Sequence, residues 1–147
     1  MYNFLPLSRK QANEFVNTFH RHNKPAVGDK FRVGLMDETG ELIGVGQAGR
    51  PVARMLDNGE TIEILRVCIK EGHKNACSMI YARLAKIAKL LGYKNIITYT
   101  LTRESGASMR ALGAVQEKIV KSQQWSRPSR ARKEQNIYNE EKIRWHI

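Results

Sequence analysis

Two charged residues interrupt an apolar run. The segment TIEILRVCI, residues 61–69, has the composition of a buried strand, yet it carries Glu63 and Arg66. A charge taken out of water is costly unless it is paired or used. Put to use, a carboxylate in such a strand is a general base for an attacking amine. A guanidinium beside it holds an anionic or carbonyl oxygen. Otherwise each pairs with a charge from another element. Residues three apart on a regular strand point to opposite faces, so the two are not expected to pair with each other.

The strand runs into IKEGHKNACSMIYA, residues 69–82, where a helix begins. A helix start is a place to hold a phosphate, because its first N–H groups are unpaired and the dipole favours anions. Close approach of the backbone to a ligand usually calls for several glycines. Here there is one, Gly72. Asn75, Cys77 and Ser78 open the helix, with capping as the default role for Asn75 and Ser78 and a phosphate of a nucleotide, a tRNA end or coenzyme A as the alternative. His20, His22, Asn23 and Lys24 form a polar cluster before Pro25. They suit a substrate-contacting loop or a solvated helix end. A metal site wants three or four ligands, and none is expected here.

The chain has 147 residues, with 25 Lys+Arg against 14 Asp+Glu and a formal net charge of +11. An excess this large biases partners toward polyanions, nucleic acid first and an anionic membrane surface second. Two basic segments stand out. GRPVAR carries Arg50 and Arg54, and SQQWSRPSRAR carries Trp125, Arg127, Arg130 and Arg132. Cations with an aromatic platform are what an unpaired nucleic acid strand requires, one for the backbone and one for base stacking. The bland reading is a solvated basic loop with Trp125 packed as an anchor. Cys68 and Cys77 are nine apart, with neither a disulfide framework nor a zinc motif implied. A cytoplasmic location fits. No membrane span and no secretory leader are expected.

These groups need elements to position them. Residues 2–7 read as a short strand. Ser8 with Gln11 forms a capping box, and Ala12, Phe15, Val16 and Phe19 give the helix behind it one apolar face. Strands are expected over 31–37 and 42–49, joined by a hairpin loop with Gly40 at a left-handed position. The segment 49–60 reads as irregular, and 61–69 as a strand. A long helix is expected over 75–91, with Cys77, Ile80, Leu84, Ile87 and Leu91 buried and Gly92 as its C-terminal cap. NIITYTL, residues 95–101, is a strand by its β-branched and aromatic content. In it Tyr99 faces away from Thr98 and Thr100. A short helix over 105–112, capped by Ser105 or Ser108, a strand over 114–120, a basic loop over 121–137 and a terminal strand over 142–147 complete the order. The whole chain, 1–147, reads as a single α/β domain with a mixed sheet.

That order resembles the GNAT acyltransferase fold, most of all over residues 61–120, where a long helix ends LGYKN and a short one ends ALGA. The resemblance implies a mixed, mostly antiparallel sheet flanked by helices, with two central strands that splay and polar groups, Tyr99 among them, facing the site. It places Ser108 near the acyl group, as a candidate general acid. The family's cofactor turn reads Arg/Gln-x-x-Gly-x-Gly/Ala. Counted back from Gly92, its defining positions fall on Gly72, Asn75 and Cys77, and none matches. The coenzyme A loop is therefore degenerate.

HRHNKPAVGDKF, GRPVAR, EILRVC, NACS, ITYT and WSRPSR are together similar to pieces of a narrower group, the Mom-related phage and bacterial proteins. That resemblance implies a phage or bacterial enzyme that hypermodifies adenine N6 in DNA with an acyl or glycinamide-type group, protecting it from restriction. Glu63 would then be the general base and Arg66 the oxygen holder, and the acyl donor, aminoacyl-type or acetyl-CoA, is open among a nucleotide, a tRNA and coenzyme A as carrier. Two other readings stand beside it. One is an acetyl-CoA-dependent N-acetyltransferase acting on a protein or small amine, and the other a non-catalytic nucleic-acid-binding module.

Overall fold

The computed structural model describes residues 1–19, 26, 28–73, 75–121 and 141–147. In chain order they form β1 (Asn3–Leu5), α1 (Arg9–Phe19), β2 (Phe31–Met36), β3 (Leu42–Gly49), β4 (Thr61–Ile69), α2 (Ala76–Leu91), β5 (Asn95–Leu101), α3 (Ala107–Ala111), β6 (Val115–Val120) and β7 (Lys142–His146). A single 3-10 turn, Arg54–Leu56, lies in the connection from β3 to β4.

All seven strands join one sheet in the order β1-β2-β3-β4-β5-β7-β6. Only β4 and β5 are parallel, and the last strand, β7, inserts between β5 and β6. Helix α2 covers one side of the sheet, where Leu35, Ile43, Ile62, Ile64 and Ile96 meet Ile80 and Leu84. Helix α1 covers the other side of β2–β4, where Leu7, Val45 and Cys68 meet Ala12, Phe15 and Val16.

Local chemistry accounts for these elements. The Ser8 hydroxyl accepts the Gln11 N–H at 3.1 Å, and the Gln11 side chain accepts the Ser8 N–H at 2.9 Å. That reciprocal pair opens α1 as expected. The chain leaves α2 at Gly92, whose φ of 101° places it in the left-handed region that only glycine enters freely. The stripe on α2 is rotated from the expected one. Ala76, Ile80, Leu84, Ala85 and Ala88 are buried, while Leu91 is 63% exposed. Leu91 was placed by periodicity, but the helix is ending there and its last turn has left the sheet. Alanines take the covered positions because β3 approaches closely. A Cβ on Gly46 would overlap Ile80 and lie 2.7 Å from Leu84.

One buried charge is purely structural. The Asp29 carboxylate accepts from Arg9 Nε at 3.2 Å, Arg32 Nε at 3.1 Å and Gln47 Nε2 at 2.9 Å. It ties α1 to β2 and β3. The short helix is shorter than expected, because Gly106 in the left-handed region delays its start until Ala107.

The Gly46 contact generates a prediction. Gly46→Ala overpacks the α2 interface and should cost about 1–3 kcal/mol. Urea unfolding would show a lower midpoint at unchanged slope. An unchanged midpoint would mean that α2 does not depend on that close approach.

Candidate active site

The site is built on an irregularity in β4. Gln47 of β3 faces Arg66, but its neighbour Ala48 faces Ile64, so Leu65 is an extra residue with no partner. A bulge of this kind reverses the alternation of side chains beyond it. The packing records the reversal. Ile62 and Ile64 lie against α2, whereas Cys68, also even-numbered, lies against α1, and Val67 and Ile69 have taken the α2 side. Arg66 therefore shares Glu63's side of the sheet. The expectation that they face opposite ways is corrected, and the cause is this one residue. Arg66 donates from Nη1 to the Leu65 carbonyl at 2.6 Å, bracing the bulge.

Past the same point β4 and β5 part. Their parallel pairing runs only over Thr61–Asn95, Ile62–Ile96 and Glu63–Ile97. The Thr98 hydroxyl donates to the Ile64 carbonyl at 3.0 Å, closing the apex with a side chain. From there to their C-terminal ends the strands diverge, leaving a wedge-shaped opening through the sheet.

The two sides of the wedge differ chemically. On the α1 side, Glu63 is 7% exposed and its Oε1 accepts the Val52 N–H at 3.1 Å. Burial pushes its carboxyl above the ordinary glutamate value, partly offset by that hydrogen bond and by Arg66 and Lys142. Tyr99 is half-buried on this side and hydrogen-bonds Arg144, whose Nε lies 3.4 Å from Glu117. Burial first, then the Glu63 carboxylate, raises the Tyr99 phenol, so it keeps its proton at neutral pH.

On the α2 side the thiol, phenol and hydroxyls are neutral, with the Glu104 carboxylate close enough to raise both Cys77 and Tyr81. The Cys77 thiol, at the start of α2, hydrogen-bonds Ser108, and burial pushes it up. One turn on, the Tyr81 hydroxyl reaches Thr98 and is raised strongly by burial. Ser105 accepts the Ala107 N–H at 3.3 Å just before α3, whose N-cap residue is Gly106 and carries no side-chain cap. No side chain caps α2, and Asn75 has turned to a left-handed φ of 66°. Ser78 bonds back to the Asn75 carbonyl at 3.0 Å.

Comparison with solved structures now has a geometry to match. The IAA acetyltransferase from Bacillus cereus aligns with TM-score 0.72 at 14% identity, covering 100% of this chain and 99% of that one. Arabidopsis thaliana NAA60 in complex with acetyl-CoA gives 0.71 at 9%, covering 100% and 98%. The ribosomal-protein-S18-alanine N-acetyltransferase from Escherichia coli gives 0.67 at 10%, covering 100% and 93%. The fold is that of the GNAT acetyltransferases. No family model and no curated protein matches the sequence. The comparisons carry the GNAT fold and give no support to a Mom-like DNA modification.

Within the GNAT fold, the residues expected from sequence divide into four groups. Glu63, Arg66 and Tyr99 come together on the α1 side, and Ser108 and Cys77 on the other. Arg50 pairs with Asp57 at 2.8 Å in the connection from β3 to β4, and Arg54 is exposed nearby. His20, His22, Asn23, Lys24, Trp125, Arg127, Arg130 and Arg132 lie outside the described residues. The points where the chain leaves toward them are described. Phe19, ending α1, lies under the Lys70 ammonium at 4.8 Å, just past β4. Val120 and Lys142 pair beside Leu101, the last residue of β5. Both exits are at the wide end of the wedge. Among the described residues no cluster of His, Cys, Asp and Glu could hold a metal.

Sequence reasoning missed Thr98, Tyr81, Lys142 and Arg144. Tyr81 had a local signal, standing one helical turn from Cys77. The others are joined to the site only through sheet pairing.

Glu63 generates a prediction with a definite sign. Its folded pKa is raised, so the native state holds the proton more tightly than the unfolded chain does. Its contribution to stability is fully present below the unfolded value, about 4.3, and is lost as pH rises through the folded value. Glu63→Gln should therefore raise the melting temperature at pH 7, with the gain vanishing below about pH 4. A lower melting temperature at pH 7 would show that the carboxylate is held for structure.

Proposed function

We propose that the chain is an N-acyltransferase, taking its acyl group from acetyl-CoA or a related thioester and passing it to an amine. The observation that carries this is the wedge between β4 and β5, with a buried carboxylate on one side and an uncapped helix start on the other. The fit to a coenzyme A diphosphate rests on α2. Among the described residues no side chain caps its first N–H groups, and the residue opening the helix is Ala76, fully buried and small. With the helix beginning there, the cofactor turn shifts by one from the count made from Gly92. Its last position is Ala76, which matches Gly/Ala, while Glu71 and Lys74 match neither Arg/Gln nor Gly, so the fit rests on the helix start alone.

The thioester supplies an activated carbonyl carbon. The amine enters from the α1 side, and its nitrogen forms a bond to that carbon. Glu63 takes the amine proton, and its raised pKa brings it nearer to neutral pH, as a base for this step should be. Backbone N–H groups on the open edge of β4 hold the carbonyl oxygen as it gains charge. The carbon–sulfur bond then breaks, and the sulfur leaves as thiolate and takes up a proton. The Cys77–Ser108 pair lies on the α2 side where that proton is needed.

Acetyl-CoA should raise the melting temperature, because a ligand of the folded state alone stabilises by about 2.7 kcal/mol at a hundred times its Kd. Glu63→Gln should keep that shift and lose thiol release, read with an amine panel, at least a hundredfold. No shift at millimolar acetyl-CoA would sink the donor assignment.

The net charge of +11 favours a second reading, in which the amine belongs to a nucleic acid such as adenine N6 of DNA. Its test is nucleoside mass spectrometry on DNA from cells expressing the chain, where a heavier deoxyadenosine should appear and vanish with Glu63→Gln. DNA affinity should also fall steeply with salt, and replacing Arg127, Arg130 and Arg132 with Ala should flatten that slope. An unchanged slope removes those arginines from the reading.

A further inference from the structure

Beside Glu63, on the same side of the sheet, is an open hollow of about 160 Å³. Its floor comes from the strand rows next to the carboxylate. Glu63 pairs with Ile97, Ile97 with His146, and Thr61 with Asn95. Thr61 and Glu63 are two apart before the bulge, so they share a side. Ile97 and His146 lie in the Glu63 row itself, and at about 3.3 Å per residue Thr61 and Asn95 stand roughly 7 Å further toward the strand starts. Arg144, paired with Tyr99, bounds it on the wedge side, and from there it runs toward the starts of β4 and β5, beside the carboxylate that the acceptor amine must reach.

We propose that this hollow is a subsite for the group that bears the acceptor amine, and that it takes a compact, uncharged group with an amide-type edge, a hydrogen-bond donor beside an acceptor. The inference rests on the acyl-transfer reading for its link to chemistry, and on the lining for its choice of ligand. Beside the Glu117–Arg144 pair and the His146 imidazole, two amides and a hydroxyl line it, Asn58, Asn95 and Thr61. The Asn58 side-chain oxygen accepts the Glu60 N–H at 2.9 Å, which leaves its NH2 to donate. Thr61 and Asn95 make no side-chain hydrogen bond among the described residues. Between them they offer donors and acceptors, the complement of an amide edge. Leu56 and Ile97 supply apolar surface for a flat face.

Opposite charges in the lining disfavour an ion of either sign. Arg144 and Glu117 lie 3.4 Å apart as an ion pair, although Arg144 Nε makes no hydrogen bond among the described residues, and His146 completes the lining. An anion would be drawn by Arg144 and repelled by Glu117, and an ammonium the reverse. A neutral group leaves both in place. The volume suits a primary carboxamide on a small ring or a single nitrogen heterocycle.

The test uses the full chain and four probes of similar size, nicotinamide and cytosine with amide-type edges, benzoate and benzylamine with charges. Binding is read from the methyl signals of Leu56 and Ile97. Nicotinamide or cytosine should shift both methyls, with the charged probes at least tenfold weaker. Asn95→Leu and, separately, the exposed Asn58→Ala should each weaken the neutral probes about fivefold to tenfold, the loss of one hydrogen bond. Either variant should leave the acetyl-CoA melting shift intact. Equal or tighter binding of benzoate or benzylamine, or methyl signals that none of the probes moves, would overturn the subsite. Probe binding without any acetyl-CoA shift would instead count against the donor assignment and leave the hollow's ligand class standing.

Discussion

One extra residue in β4 organises the site. Leu65 has no partner on β3, and inserting it turns every later side chain of the strand over. Without it, Arg66 would point into the packing of Ile80 and Leu84, and Val67 and Ile69 would leave that core. The bulge lets one strand serve two cores and still carry two charges on the site side. It also bends β4 where pairing with β5 stops, which converts a sheet into a sheet with an opening. Thr98 then has a defined task, because an apex with an unpaired buried carbonyl would be costly.

The two buried acids show how differently a protein can hold a carboxylate. Asp29 receives two guanidinium groups and an amide, and its task is to join α1 to the sheet. Glu63 receives one backbone N–H, with its cations acting from farther off. A carboxylate so sparsely served is poised to take a proton. Sites that do chemistry commonly hold such strain at the expense of stability. The neutral thiol, phenol and hydroxyls on the α2 side complement it, since a proton acceptor and proton donors are kept apart by the sheet.

Much of the fold was legible because its signals are local. The Ser8–Gln11 box, the apolar run of β4, the β-branched run of β5 and the glycine after α2 each report on a few neighbouring residues. The errors arose where distant parts decide. Leu91 has the right period to be buried, but the helix extends beyond the sheet that would cover it. Gly46 reads as an ordinary strand glycine until α2 is laid across it. Glu63, Arg66, Tyr99 and Ser108 were visible as polar residues in apolar or capping positions, yet their grouping was not. Ser108 sits across the sheet from the other three and answers to Cys77 instead.

By itself, the sequence determined the element order, the Ser8–Gln11 box, the Gly92 stop, the mixed α/β class and the presence of buried charge in β4. Those follow from propensity and period, which act over one turn or one pleat. Only the tertiary structure decided which side each charge faces, where β4 and β5 part, and that Lys142 and Arg144 belong near Glu63. A bulge leaves no mark on composition, since any residue can be the extra one. Strand neighbours far apart in the chain are set by the register of the whole sheet. The site is a product of that register, and it came into view when the strands were laid side by side.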